Sequence, residues 1–206
     1  MTSPEHVMRL SPVIPVLTIE DAAWARPIAE ALVAGGLRAL EVTLRTPAAL
    51  EVIAEMSKVE GAVVGAGTVL NSGDLDQALA AGATFVVSPG LTNPLAEAAI
   101  TASIPFLPGV ANASDIMRGL DLGLSFFKFF PAEAAGGRKA LASLAAPFHQ
   151  ARFCPTGGIT LATAPDWLAM PSVLCVGGSW LVPWGEPDLA AIRARAAEAA
   201  GLASAT

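Results

Sequence analysis

Short apolar runs rich in β-branched and aromatic residues recur along the 206-residue chain: "VIPVLTI", "ALEVTL", "VVGAGTV", "FVVSPG", "PFLPGV", "FFKFFP", "RFCPTGG" and "VLCVGGSW". Between them lie Ala- and Leu-rich stretches that read as helices, such as "DAAWARPIAEALVAGG", "GDLDQALAAG" and "NPLAEAAITAS". Strand followed by helix, about eight times over, predicts a parallel sheet with right-handed crossovers. Eight units at this spacing predict closure into a (β/α)8 TIM barrel, an α/β fold with residues 1–206 as a single domain. The open, doubly wound sheet shares the alternation and is the competing fold. Polar residues mark where helices start: Ser72 with Asp74, and Asn112 with Ser114 and Asp115. Glycines mark where they stop, in "AGG" at 34–36, "AAG" at 80–82 and "LG" at 122–123, and the Ala-rich tail after Asp188 reads as a closing helix.

Within the runs, alternation assigns faces. In "EVTLRT", Glu41, Thr43 and Arg45 share one side, and Leu40, Val42 and Leu44 share the other. The outward face of a barrel strand lies under helices, so the apolar set belongs there and Glu41, Thr43 and Arg45 point inward. Residues four apart on a strand are separated by about 13 Å, so Glu41 and Arg45 do not neutralise each other. Buried unpaired charges cost roughly several kcal/mol, which a fold tolerates mainly where chemistry uses them. In "FFKFFP", Phe127 and Phe129 share the outward face, and Lys128 projects inward between Phe126 and Phe130. Scarcity of water there favours the neutral amine, a nucleophile for ketones. The bland alternative is a lysine that snorkels to the rim or pairs with a carboxylate. Glu41, an acid/base group on another inward face, tips the balance toward Schiff-base chemistry.

Two glycine-rich strand ends, "PTGGI" at 155–159 and "GGSW" at 177–180, fall on the last two strands. The corresponding loops of such barrels bind phosphate through backbone N–H groups. In "GAGTVL", Val64, Ala66 and Thr68 share a face, with Thr68 near the mouth beside Arg45; together Thr68 and Arg45 can grip a small carboxylate. Pro89 in "SPG" walls the pocket. His6 and His149 lie outside every strand end and read as surface residues. No His or carboxylate cluster has metal-ligand spacing, so neither a metal nor another cofactor is expected.

Composition narrows the function classes. Hydrophobic residues make up 53% and charged residues only 15%, which implies that a partner covers part of the surface, as in a homo-oligomer. Twelve basic against eighteen acidic residues give a net charge of −6, which repels nucleic acid and anionic lipid. Cys154 and Cys175 sit in apolar runs without a Cys or His partner and read as buried reduced thiols. With no signal-peptide character near Glu5, His6 and Arg9, a cytoplasmic protein is expected. The uncharged segment at 167–185 is about long enough to span a bilayer, but Pro171, Gly177, Gly178 and Pro183 break it up, so no membrane role is expected.

"EVTLRT", "VGAGTVL", "SPGLT", "FKFFPAE", "RFCPTGGI" and "SVLCVGGSWLVP", in this order and across nearly the whole chain, resemble the 2-keto-3-deoxy-6-phosphogluconate (KDPG) aldolases. The resemblance implies a class I, metal-independent aldolase of the Entner–Doudoroff pathway, a homotrimer of (β/α)8 barrels that splits KDPG reversibly into pyruvate and glyceraldehyde 3-phosphate. It further implies that Lys128 forms the Schiff base, Glu41 shuttles protons, Arg45 and Thr68 hold the pyruvyl carboxylate, and Phe130 packs against the imine. Thr156 matches a position tied to stereochemical choice at C4, and Gly157, Gly158, Gly178 and Ser179 match the phosphate end. The fifth loop departs from the family pattern, reading "ANASD" after "PGV" where a hydroxyl residue nearer the glycine is expected. Relatives within the family act on 4-hydroxy-2-oxoglutarate or on the phosphogalactonate epimer of KDPG. A sugar-phosphate epimerase or isomerase on the same barrel, or a non-catalytic sugar-phosphate sensor, would share the phosphate loops without needing the amine.

Overall fold

The computed structural model describes residues 3–202. It is a mixed α/β fold whose strands are β1 (Val13–Leu17), β2 (Ala39–Thr43), β3 (Val63–Gly67), β4 (Phe85–Val87), β5 (Phe106–Leu107), β6 (Gly109–Val110), β7 (Phe126–Phe129), β8 (Arg152–Pro155) and β9 (Val176–Gly178). The helices are α1 (Pro4–Arg9), α2 (Ala25–Ala34), α3 (Ala49–Met56), α4 (Ser72–Ala80), α5 (Asn93–Thr101), α6 (Ala113–Asp121), α7 (Gly137–Ala145), α8 (Ala164–Leu168) and α9 (Leu189–Ala200). The paired strands all run parallel. They form a six-stranded sheet in the order β5-β4-β3-β2-β1-β9 and a three-stranded sheet in the order β6-β7-β8.

Two seams join these sheets. The single strand expected over 105–110 is divided at Pro108, which has no N–H for the ladder; its carbonyl still accepts from the Lys128 N–H at 2.9 Å. At the other seam, Phe153 bridges to Val173 and Thr156 to Gly177. Residues 167–185 are split among the end of α8, β9 and loops. Among the described residues no helix is long and apolar enough to cross a membrane.

Alternation along the strands builds two cores on opposite faces. Leu40, Val42, Phe127 and Phe129 pack in one with Ile28, Leu32, Val52 and Met56 of the helices. Ile14, Ala39, Phe85, Leu107, Cys154 and Cys175 pack in the other, together with Val7 and Met8 of α1. Each buried Val, Leu, Ile, Phe or Met side chain among them contributes about 1.5–3 kcal/mol. At six residues α1 is too short for periodicity to announce it; Ser3 caps it by accepting from the His6 N–H at 3.1 Å.

The helix starts follow one recipe with a correction. Asn71, not Ser72, caps α4, accepting from the Asp74 N–H at 3.0 Å while Asp74 accepts from the Leu70 N–H at 2.9 Å. Asn112 and Asp115 repeat the arrangement at α6, with the Asp115 carboxylate accepting from the Ala111 N–H at 3.0 Å. The residues of the departing loop, "ANASD", are therefore used for capping. Asp188 caps α9 in the same way, accepting from the Ala191 N–H at 3.0 Å.

Candidate active site

Glu41 lies within β2 and Lys128 within β7, each two residues beyond a side chain of the second core, Ala39 and Phe126 respectively. Both are buried, 3% and 6% exposed, and the Lys128 ammonium donates to Glu41 Oε1 at 3.1 Å. The two residues are 87 positions apart in sequence. Instead of a neutral amine standing alone between rings, the structure holds an ion pair, with the Phe130 ring centroid 5.1 Å from Nζ on its other flank. Pairing removes the penalty that each unpaired charge would carry, and breaking such a pair costs about 3–5 kcal/mol. Room for the carboxylate comes from Gly67 on β3, where any Cβ would collide with Glu41 Oε1.

Lys128 forms part of the wall of a cavity of about 150 Å³ at the carboxyl ends of the strands, shared with Arg45, Phe130, Thr156, Gly157, Gly158 and Ser179. Val16, Ile159 and Gly177 complete the lining. β2 ends at Thr43, so Arg45 has left the sheet: it is exposed and lines the cavity at its rim, and it makes no salt bridge among the described residues. Thr43 is the inward neighbour of Glu41, with its hydroxyl donating to the Leu17 carbonyl at 2.9 Å.

Gly157 and Gly158 have φ of +107° and +81°, a backbone shape that side-chain-bearing residues rarely adopt, and together they turn the chain across the mouth. The N–H groups of Gly158, Ile159 and Ser179 donate to no protein acceptor among the described residues. Successive free amides beside Arg45 and Lys128 make a setting suited to anions.

Four expected residues lie outside this lining: Glu41, which reaches the cavity only through its contact with Lys128, and Gly178, Thr68 and Pro89. At Gly178 an added Cβ would strike the Trp180 ring, so that glycine serves packing, while its neighbour Gly177 faces Thr156 and the cavity. Thr68 has φ of +60°, which breaks the alternation after β3: Val64 and Ala66 of that face pack in the helix-side core. Pro89 presents its carbonyl to Gly109, where a Cβ would collide with it.

Gly67 and Gly177 were not legible as site residues, because a glycine carries no side chain to betray its face; the only signal is the run of small residues in "GAG" and "GG". In the second core, burial pushes the Cys175 thiol well up, and the neighbouring Cys154 and then the Glu41 carboxylate push in the same direction. Among the described residues no group of three His, Cys, Asp or Glu side chains is placed to hold a metal ion.

The family of KDPG and KHG aldolases matches residues 5–195. The chain belongs to this family. It is 65% identical over 195 residues to a 2-dehydro-3-deoxy-phosphogluconate aldolase of Zymomonas mobilis, covering 95% of this chain and 94% of the relative. A crystal structure of the Zymomonas mobilis ZM4 KDPG aldolase with 3-phosphoglycerate superposes with a TM-score of 0.98 at 63% identity, covering 100% of this chain and 98% of that one. A KDPG aldolase from Legionella pneumophila, with pyruvate captured at low pH as a covalent carbinolamine intermediate, gives 0.87 at 44% identity over 98% of this chain and 96% of that one. Membership of the KDPG and KHG aldolases makes an aldol-cleaving amine the chemistry to test against this cavity.

Proposed function

We propose that this protein is a lysine Schiff-base (class I) aldolase that cleaves KDPG reversibly to pyruvate and glyceraldehyde 3-phosphate, the aldol step of the Entner–Doudoroff pathway. The observation that carries the reading is the buried Lys128 amine on the wall of the cavity, 3.1 Å from a carboxylate able to take its proton.

The reaction follows from that pair. Glu41 accepts a proton from the Lys128 ammonium, and the freed amine adds to the C2 ketone to give a carbinolamine. Glu41 returns a proton to the departing hydroxyl, water leaves, and a cationic iminium remains. Loss of the C4 hydroxyl proton to Glu41, through water, breaks the C3–C4 bond; its electron pair flows into the iminium to give an enamine and releases the aldehyde. Protonation of the enamine at C3 and hydrolysis release pyruvate and restore the lysine. Glu41 therefore acts as base and acid in turn, and Lys128 is the electron sink. The Phe130 face stabilises the cationic imine, as it does the ammonium.

Arg45 binds the pyruvyl carboxylate at the rim, and Thr68 and Pro89, which follow the ends of β3 and β4, are assigned to the same end of the substrate. Thr156, buried next to Gly177, borders the C4 hydroxyl, and the free amides around Gly158 and Ser179, with Gly157 and Gly178 shaping their loops, take the phosphate. No metal or other cofactor enters this chemistry.

The two sheets constitute one closed (β/α)8 barrel, with residues 1–206 as one domain; the Pro108 junction and the Phe153 and Thr156 bridges support closure. The working form is a homotrimer, a reading supported by membership of the family and by the low share of charged residues, 15% of the chain. Free Cys154 and Cys175 and a charged sugar-phosphate substrate fit the cytoplasm.

The test couples pyruvate release to lactate dehydrogenase, with KDPG, its phosphogalactonate epimer and 4-hydroxy-2-oxoglutarate assayed side by side. KDPG is expected to be turned over fastest, and Lys128→Ala is expected to lose nearly all activity. An epimerase, isomerase or sensor would release no pyruvate, and a Lys128→Ala variant that keeps most of the rate would remove the Schiff base from the account.

A further inference from the structure

We propose that Glu133 is a positioning residue that holds the Gly157–Gly158 turn in its anion-accepting shape; this rests on reading that turn as the phosphate end of the substrate site. Glu133 lies between β7 and α7 and lines no part of the cavity itself. Its backbone N–H donates to the Gly157 carbonyl at 3.1 Å, next to the Ala132 N–H, which donates to the Thr156 carbonyl at 2.8 Å. Its side-chain stem fills the space beside Gly158: a Cβ there would lie 2.9 Å from Glu133 Cβ and 2.8 Å from Cγ. The carboxylate is fixed in turn, because Oε1 accepts from the indole N–H of the fully buried Trp167 on α8 at 3.1 Å. An ion pair between Arg138 and Asp166 at 3.0 Å ties α7 to α8 alongside. The turn is thus fastened by its carbonyls to one loop, and its outer wall is a side chain fastened to the next helix.

Charge makes the assignment informative. A carboxylate next to an anion-binding turn works against the anion, so electrostatics alone would not place a glutamate here. What a carboxylate does supply is an acceptor with no donor of its own, which suits the Trp167 indole N–H, a group that can only donate. Its value is therefore positional, and shape and charge effects on phosphate binding have opposite signs. Removing the side chain frees Gly158 to rotate and withdraw its N–H; replacing it by the neutral isostere keeps the shape and relieves the repulsion.

The experiment measures kcat and KM for KDPG, inhibition by inorganic phosphate, and the rate of borohydride trapping with pyruvate, which has no phosphate. The wild-type protein, Glu133→Ala, Glu133→Gln and Trp167→Phe are compared. In Glu133→Ala, KM for KDPG is expected to rise about tenfold, the worth of one hydrogen bond to a charged group, with the phosphate inhibition constant rising in step. Its kcat stays within about twofold and pyruvate trapping is unchanged, as a role confined to binding requires. Glu133→Gln is expected to show a KM no higher than the wild type, and Trp167→Phe a KM displaced in the same direction as Glu133→Ala. If the alanine and glutamine variants move together, if kcat or trapping falls in parallel with KM, or if KM does not move, the positioning role is wrong. Should Glu133→Ala not fold, a glutamine variant with KM at or below the wild-type value beside a Trp167→Phe variant with KM above it carries the same decision. A wild-type protein that neither cleaves KDPG nor traps pyruvate would instead overturn the aldolase reading.

Discussion

Adding one methyl group at Gly67 tests whether Glu41 must stand where it does. Gly67 does not have positive φ, so alanine meets no backbone penalty there and the effect is one of space alone. The new Cβ would lie 2.7 Å from Glu41 Cγ, 2.8 Å from Cδ and nearer still to Oε1, against ordinary carbon contacts of about 3.5–4.0 Å. The strand cannot yield. β2 and β3 are paired at five successive positions from Ala39↔Val63 to Thr43↔Gly67, and the Leu44 N–H donates to the Gly67 carbonyl at 2.8 Å. The carboxylate must therefore retreat by about 1 Å and lengthen its 3.1 Å contact with Lys128, a displacement that can cost about 100-fold in rate, or about 2.7 kcal/mol of barrier. Overpacking should also cost about 1–3 kcal/mol of stability. Gly65→Ala on the same strand is the control, since its Cβ would strike the Phe85 ring instead of the carboxylate. Coupled kcat and guanidinium unfolding are measured on both: comparable destabilisation is expected, with the large rate loss confined to Gly67→Ala. A Gly67→Ala enzyme with wild-type kcat, or a Gly65→Ala enzyme equally impaired, would refute the reasoning.

Arg45→Ala should raise KM for KDPG by about 10–100-fold, the loss of a charge-assisted carboxylate contact, and Arg45→Lys should recover only part because an ammonium lacks the guanidinium fork. An unchanged KM in steady-state kinetics would remove Arg45 from the carboxylate site. Burial raises the Cys175 thiol in the fold, so above about pH 8.5 the unfolded chain sheds a proton that the folded chain keeps. Stability is then unaffected below that pH and falls above it by up to about 1.4 kcal/mol per pH unit. The chain has no tyrosine to titrate in this window, so Cys175→Ala should flatten the profile of unfolding free energy between pH 8 and 10, and parallel profiles would contradict the assignment.

Alternation made the faces of β2 and β7 legible from sequence: Leu40, Val42, Phe127 and Phe129 pack under helices, and Glu41 and Lys128 stand on the opposite face. Their direct contact was not legible. Which inward residues of β2 and β7 meet depends on how nonadjacent strands are staggered, and no local pattern records that across 87 positions. Alternation also failed where β3 ends. Thr68 turns with φ of +60° and leaves the cavity lining, whereas Arg45, past the end of β2, still lines it. The choice between Gly177 and Gly178 escaped for a different reason, since parity cannot be read from two residues without side chains. Asn71 took the cap assigned to Ser72 because the residue with β-region backbone, φ −154° and ψ 175°, is the one whose side chain can reach back to the helix N–H groups.

The most direct measurement is borohydride reduction in the presence of pyruvate, followed by peptide mass spectrometry. One reduced pyruvyl group on Lys128, and on no other residue, is the predicted result. A label on a different lysine, or an unmodified protein after prolonged reduction, would contradict the claim that this amine is the nucleophile.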